Sequence, residues 1–287
     1  MSEVRVLRRI ADELARASGE GLGAGEAAAL WAAASGLKAA EVWLRRETEA
    51  SPDVALRFWK AVEQCKKGVP FAYAAGRVGF RTLDLLIDPR ALIPRPETEG
   101  LVDLVLKFGN RGGGLVADIG TGSGCIALAL AVEGDFEKIV AVERSPAAAA
   151  LARDNVERVA PKTPVDIREG NLLAPLVDSG ERGIYRVIVA NPPYLTESEF
   201  AELDASVREF EPREALVGGA SGGGLDATRG IFAGAGAVLE PGGLLALEID
   251  ERRSDAVRDL GRDYGWNVAI HQDVFGCPRY AISIKED

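Results

Sequence analysis

Two rhythms of apolar and polar positions divide the chain of 287 residues. From residue 1 to about 75, apolar side chains recur at steps of three and four, the period of an amphipathic helix. Val4, Leu7, Ile10 and Leu14 open this pattern, an alanine-rich run follows over 26–34, and further helical spacing covers 39–46 and 54–65. A small helical domain is expected over 1–75. Gly68, Val69 and Pro70 break the pattern, and 78–87 reads as a hairpin or short strands leading into Pro94, Arg95 and Pro96. Residues 76–98 are therefore expected to form a hairpin and linker. Beyond them, apolar runs at 115–119, 139–142, 165–167, 187–190 and 244–249 alternate with helix-period segments at 125–132, 146–159, 227–239 and 254–264. That alternation implies a mostly parallel, doubly wound sheet in one α/β domain over 99–287. Two last runs, 266–271 and 280–284, suggest an antiparallel edge hairpin.

Composition narrows the chemistry. With 34 basic and 44 acidic residues the net charge is −10, which opposes a broad electrostatic footprint on nucleic acid, so no direct nucleic-acid binding is expected. No long uncharged apolar stretch suggests a membrane span, and the opening residues lack the apolar core of a signal peptide. A cytoplasmic location with no membrane partner is expected. Cys65, Cys125 and Cys277 lack metal or disulfide spacing and read as buried thiols. The single histidine, His271, lies in a strand-like run without chemical partners and reads as structural. Metal-dependent and histidine-triad mechanisms are thereby disfavoured.

The first chemical motif follows the strand at 115–119. Asp118, Ile119, Gly120, Thr121, Gly122, Ser123 and Gly124 supply alternate glycines between a strand and a helix, where tight turning and close approach to a ligand need residues without a Cβ. Cys125 stands where a dinucleotide fingerprint needs Gly or Ala, and no P-loop lysine follows. The pattern instead resembles the first motif of the seven-stranded S-adenosylmethionine-dependent methyltransferases. Glu143 ends the next strand, about twenty residues on, where a carboxylate can accept both ribose hydroxyls. Asn171 and Leu172 follow the third strand, where the adenine of such a cofactor is expected; Asn171 offers an amide and Leu172 an apolar face.

After the fourth strand come Asn191, Pro192, Pro193 and Tyr194. Two prolines fix the backbone and contribute no N–H, leaving carbonyls as acceptors. The Asn191 side-chain oxygen and the Pro192 carbonyl can accept both N–H bonds of a primary amide, orienting a weakly nucleophilic nitrogen and stabilising the positive charge it develops. Tyr194 can stack on the amide plane. No strong base is required, since the nitrogen becomes acidic only as it is methylated.

With these motifs the chain resembles the peptide chain release factor N(5)-glutamine methyltransferases, the PrmC or HemK family. Further matching residues are Pro70, Tyr73 and Gly76; Leu92 and Ile93 with Pro94, Arg95, Pro96, Glu97, Thr98 and Glu99; Glu211 and Pro212; Gly218, Gly219 and Gly224; Pro241, Gly242 and Gly243; Glu248; and Asp273, Gly276 and Arg279. The resemblance implies a seven-stranded Rossmann-like methyltransferase domain with a small N-terminal helical domain that recognises the substrate. It implies S-adenosyl-L-methionine as cofactor, S-adenosyl-L-homocysteine as product, and methylation of the glutamine in the Gly-Gly-Gln loop of release factors. Arg95 and Thr98 enter as secondary substrate-binding candidates, with a linker and helix start as their alternative reading. This sequence has Asn171 and Glu143 where acid and aspartate are more usual in the family, and lacks a glutamine often found near Arg252. Three rivals remain: ribosomal-protein glutamine methylation, methylation of adenine in DNA, which offers a similar planar amino group, and a cofactor-binding regulator without turnover.

Overall fold

The computed structural model describes residues 8–109, 112–219 and 223–286. Val4 and Leu7, which open the helical pattern, lie outside the described residues. The chain divides into two compact units: one runs to Arg77 and includes Ala205–Phe210, the other comprises Val78–Asp204 and Glu211–Asp287.

In the first unit, α1 (Ile10–Gly19), α2 (Ala24–Ser35), α3 (Ala39–Leu44), α4 (Pro52–Lys66) and α5 (Phe71–Ala75) surround one small core. Its centre is Trp31 against Phe58, ring centroids 5.1 Å apart and edge to face, an arrangement that suits the aromatic quadrupole. The alanine-rich α2 buries Ala27, Ala28, Leu30, Trp31 and Ala32, more than a single stripe, because small side chains let neighbouring helices approach closely. Pro52 begins α4, where a missing N–H costs nothing.

The second unit opens with the hairpin β1 (Arg77–Phe80) and β2 (Leu83–Leu86), then α6 (Pro96–Gly109). The α/β rhythm follows: β3 (Leu115–Ile119), α7 (Cys125–Glu133), β4 (Lys138–Glu143), α8 (Pro146–Val159), β5 (Val165–Glu169), α9 (Ala174–Asp178) and β6 (Tyr185–Ala190). After α10 (Glu197–Ala201), and after α11 (Ala205–Phe210), which belongs to the first unit, come α12 (Asp226–Val238), β7 (Leu239–Glu248), α13 (Ser254–Asp263), β8 (Ala269–Gln272) and β9 (Pro278–Ile284). The seven-stranded sheet has the order β5-β4-β3-β6-β7-β9-β8, with β9 antiparallel to both neighbours.

Strands covered on both faces are apolar almost without interruption, and the register explains it. Val187 and Val189 face a core shared with α6 and α7, while Ile188 and Ala190 face one shared with α12 and α13. The chain steps outward from β3 to β5, then returns to place β6 beside β3. That reversal opens a crevice beyond the carboxyl ends of β3 and β6, the place where such sheets bind ligands.

Several local expectations are corrected. The segment expected as linker contains the start of α6 at Pro96, and Phe80, Leu83 and Leu85 of the hairpin are built into the sheet's core. The edge strand begins at Ala269 rather than 266 because Trp266 turns inward, buried, with its indole N–H on the Phe232 carbonyl at 2.9 Å. Of the three thiols only Cys125 is buried; Cys65 and Cys277 are half-buried. His271 sits on β8 with its ring edge-on to Phe108. No helix among the described residues is long and apolar enough to cross a membrane.

Candidate active site

A cavity of about 430 Å³ lies in the crevice between β3 and β6, a volume within the usual range for small-molecule sites. Gly120, Thr121, Gly122, Ser123, Glu143, Asn171, Leu172 and Asn191 all line it, together with Arg95, Thr98 and Pro193. Residues scattered over a hundred positions of sequence thus meet around one cavity.

The glycine loop is shaped by backbone geometry. Gly120, Gly122 and Gly124 take φ of +75°, +57° and +83°, the left-handed region that side chains resist. The Gly120 and Thr121 amides both donate to the Val142 carbonyl, tying the loop to the end of β4. Asp118 does not line the cavity. It is fully buried beneath the loop, where one oxygen accepts from the Thr121 hydroxyl at 2.5 Å and from the Ala127 amide at 3.1 Å. Burial pushes its carboxyl up to about 7 against those hydrogen bonds, and its other oxygen has no partner among the described residues. The direct ligand role expected of Asp118 becomes one of bracing the loop. Gly124 is likewise off the wall, serving as the left-handed N-cap of α7.

Glu143 closes β4 with its carboxylate at the wall. One oxygen accepts from the Gly122 amide at 2.9 Å and the other from the Ser145 amide at 2.8 Å, so each keeps a lone pair and the pair is fixed in direction. Such a fork suits a vicinal diol. Leu172 adopts φ of +49°, uncommon for a residue with a Cβ, and packs beside Gly230. Beneath the loop, buried Asn155 donates to the Leu86 and Ser123 carbonyls at 3.0 and 2.9 Å and accepts from the Leu86 amide at 2.7 Å. One side chain therefore clamps the hairpin to the glycine loop, a contact the sequence did not announce.

Across the crevice, Asn191 follows β6. Its amide nitrogen donates to the Thr98 hydroxyl at 3.2 Å, and that hydroxyl donates to Glu248 at 2.7 Å. Burial pushes the Glu248 carboxyl up to about 7, with Thr98, Arg279 and Asn191 opposing. Pro192 is buried and Tyr194 half-buried, and the cavity lining includes neither. Burial, then the charge of Glu248, pushes the Tyr194 phenol up to about 12, which keeps it neutral and unfit as a base. The following turn is held by a parallel bridge between Leu195 and Val217. Gly218 lies against the Pro193 carbonyl and Gly224 against the Tyr194 carbonyl so closely that a Cβ at either would overlap them. Arg95 reaches the wall while its guanidinium donates to the buried Glu211 at 2.7 Å, and Glu211 also accepts from the Ile93 amide.

Glu248 and Glu211 are the participants that motif reading undervalued. The available signal was an acid where burial is expected: Glu248 ends the apolar run 244–247.

The switch-point cavity, the glycine loop and the acid after β4 define a methyltransferase of the S-adenosylmethionine-dependent class. In agreement, residues 100–209 match the Methyltransferase small domain family and residues 5–76 the PrmC N-terminal domain family. The chain is 40% identical over 247 residues to the release factor glutamine methyltransferase of Moorella thermoacetica, covering 85% of this chain and 84% of that one. It is 37% identical over 248 residues to the enzyme of the same name from Deinococcus radiodurans, covering 85% of each. A methyltransferase from Pyrococcus furiosus shares the fold, with TM-score 0.52 and 22% identity over 73% of this chain and 92% of that chain. The chain belongs to the release factor glutamine methyltransferase family.

Proposed function

We propose that this chain methylates the side-chain amide nitrogen of the glutamine in the Gly-Gly-Gln loop of peptide chain release factors. The observation that carries the reading is that Glu143 and Asn191, from different strands, line one cavity at the topological switch point. S-adenosyl-L-methionine, when bound, supplies an electrophilic methyl group and leaves as S-adenosyl-L-homocysteine. The residues fit that cofactor: Glu143 has two free lone pairs for a ribose diol, the left-handed Gly120 leaves open space where a Cβ would stand, and Leu172 offers an apolar face.

Asn191 receives the substrate amide through its side-chain oxygen, and the Pro192 carbonyl on the same turn is the second acceptor proposed. These acceptors hold the nitrogen lone pair in one direction and bind its hydrogens more strongly as positive charge grows. The proton is lost to solvent once the nitrogen is alkylated, so no base is needed, and neutral Tyr194 supplies aromatic surface behind the turn. The helical unit, which matches the PrmC N-terminal domain over 5–76, is assigned to recognition of the intact release factor.

Transfer of a tritiated methyl group to purified release factor, to ribosomal protein and to DNA tests the reading. Label is expected on release factor alone and is expected to vanish when the loop glutamine is replaced. Label on DNA, or label that persists without the glutamine, overturns it.

A further inference from the structure

A carboxamide is nearly symmetric in shape but not in chemistry: one end donates two hydrogens, the other only accepts. Turning Asn191 end for end would leave its packing unchanged and reverse what it offers a ligand. Its orientation must therefore be set by its neighbours. The Thr98 hydroxyl, on the first turn of α6, stands 3.2 Å from the Asn191 nitrogen and 2.7 Å from an oxygen of Glu248, at the end of β7. Thr98 and Glu248 are each only 2% exposed.

Hydrogen counting fixes the rest. An ionised carboxylate has no hydrogen to give, so Thr98 must spend its single one on Glu248. The hydroxyl then only accepts, and Asn191 must turn its NH2 inward. The nearby Asn191 amide also helps to oppose the upward shift of the Glu248 carboxyl. What remains for the cavity, which Asn191 and Thr98 both line, is the Asn191 oxygen. We infer that Thr98 and Glu248 are positioning residues that lock Asn191 oxygen-outward, so that the site takes a primary amide, which brings hydrogens, and rejects a carboxylate, which brings none. A packing role alone does not account for the pair, because a buried carboxylate is costly where an apolar side chain would fill a strand end.

The inference rests on Asn191 acting as the acceptor proposed above, and the test separates the two. Thr98→Val keeps the shape and removes the hydroxyl; Thr98→Ala removes it without the added methyl; Thr98→Ser retains it. For each, and for Asn191→Ala, we would measure single-turnover methylation of release factor and calorimetric affinity for S-adenosylmethionine. We would also measure competitive binding of release factor with the target glutamine replaced by glutamate. Val and Ala are expected to slow turnover on the order of 10- to 100-fold, as loss of a preorganised transition-state contact does. Cofactor affinity should stay within about threefold, since the hydroxyl bonds Asn191 rather than the glycine loop. Preference for glutamine over glutamate should narrow at least about tenfold, because a freely turning amide can also donate. Ser is expected to restore both rate and preference. An inactive Asn191→Ala beside Val and Ala variants with normal rate and normal preference overturns the relay alone. An active Asn191→Ala overturns the acceptor reading beneath it.

Discussion

The two walls of the cavity are built by different means. The wall after β3 and β4 is assembled from near neighbours: Thr121, Gly122, Glu143 and the buried Asp118 that braces them lie within 25 positions of one another, and backbone amides make most of the bonds. The wall after β6 depends on side chains that meet from afar. Thr98 lies 93 positions from Asn191 and 150 from Glu248, yet one hydroxyl joins all three. A binding surface for an invariant cofactor can be written locally, but the chemistry-bearing wall takes its polarity from the folded sheet.

That contrast predicts which variants lose rate and which lose affinity. The largest effect is expected for Asn191→Ala, which removes the acceptor: turnover should fall on the order of 100-fold or more while S-adenosylmethionine affinity, read by calorimetry, is retained. An equal loss of affinity would abolish the distinction between the walls. Glu143→Ala should act the other way, weakening cofactor binding by on the order of 1 to 3 kcal/mol through lost hydrogen bonds. Its effect on rate at saturating cofactor should be small, and a large one would show that the walls are coupled.

Asn155→Ala tests the scaffold beneath the first wall. Three bonds are lost and the buried Leu86 and Ser123 groups are left unpaired, so unfolding in urea should show destabilisation of about 2 kcal/mol. An unchanged midpoint would mean that the hairpin is held by Phe80 and Leu85 alone.

The smallest and most diagnostic effect is on pH. Glu248 is faced by Glu97 and Thr98 from α6, by Arg279 and Tyr280 from β9, and by Tyr194 and Cys125. Burial raises its carboxyl from 4.5 to about 7, so the folded state keeps this proton longer than the unfolded state. Stability from this group is full below 4.5 and declines as pH rises to about 7. The relay needs the ionised form, so turnover should rise as pH climbs through about 7, where the folded carboxyl loses its proton. Glu248→Gln cannot titrate and is expected to abolish that acid limb of the rate profile. An identical limb in the variant would assign it to another group, of which buried Asp118 is the first to examine.

The same contrast governs what could be read beforehand. Strands 115–119 and 187–190 declare themselves because both faces are covered, and Gly120 to Gly124 because a left-handed turn admits few other residues. Glu143 follows from strand spacing. By contrast, α6 is hidden behind Pro94 and Pro96, which read equally as linker or helix start. Asp118 belongs to the motif, but its burial depends on the packing of α7 against β3. The place of Tyr194 behind the wall depends on Gly218 and Gly224, which come from a segment distant in sequence. Asn155 carries no local pattern, and Glu248 only that of an acid ending an apolar run, since the partners of both are chosen by tertiary contact.

Gly218 and Gly224 carry a consequence for how such a chain changes through descent. Because each sits against a carbonyl of the turn that carries Asn191, neither position can acquire a side chain unless that turn moves too. The two segments are bound to be inherited together. A recombinant that takes 191–195 from one parent and 217–224 from another must keep both glycines to remain viable.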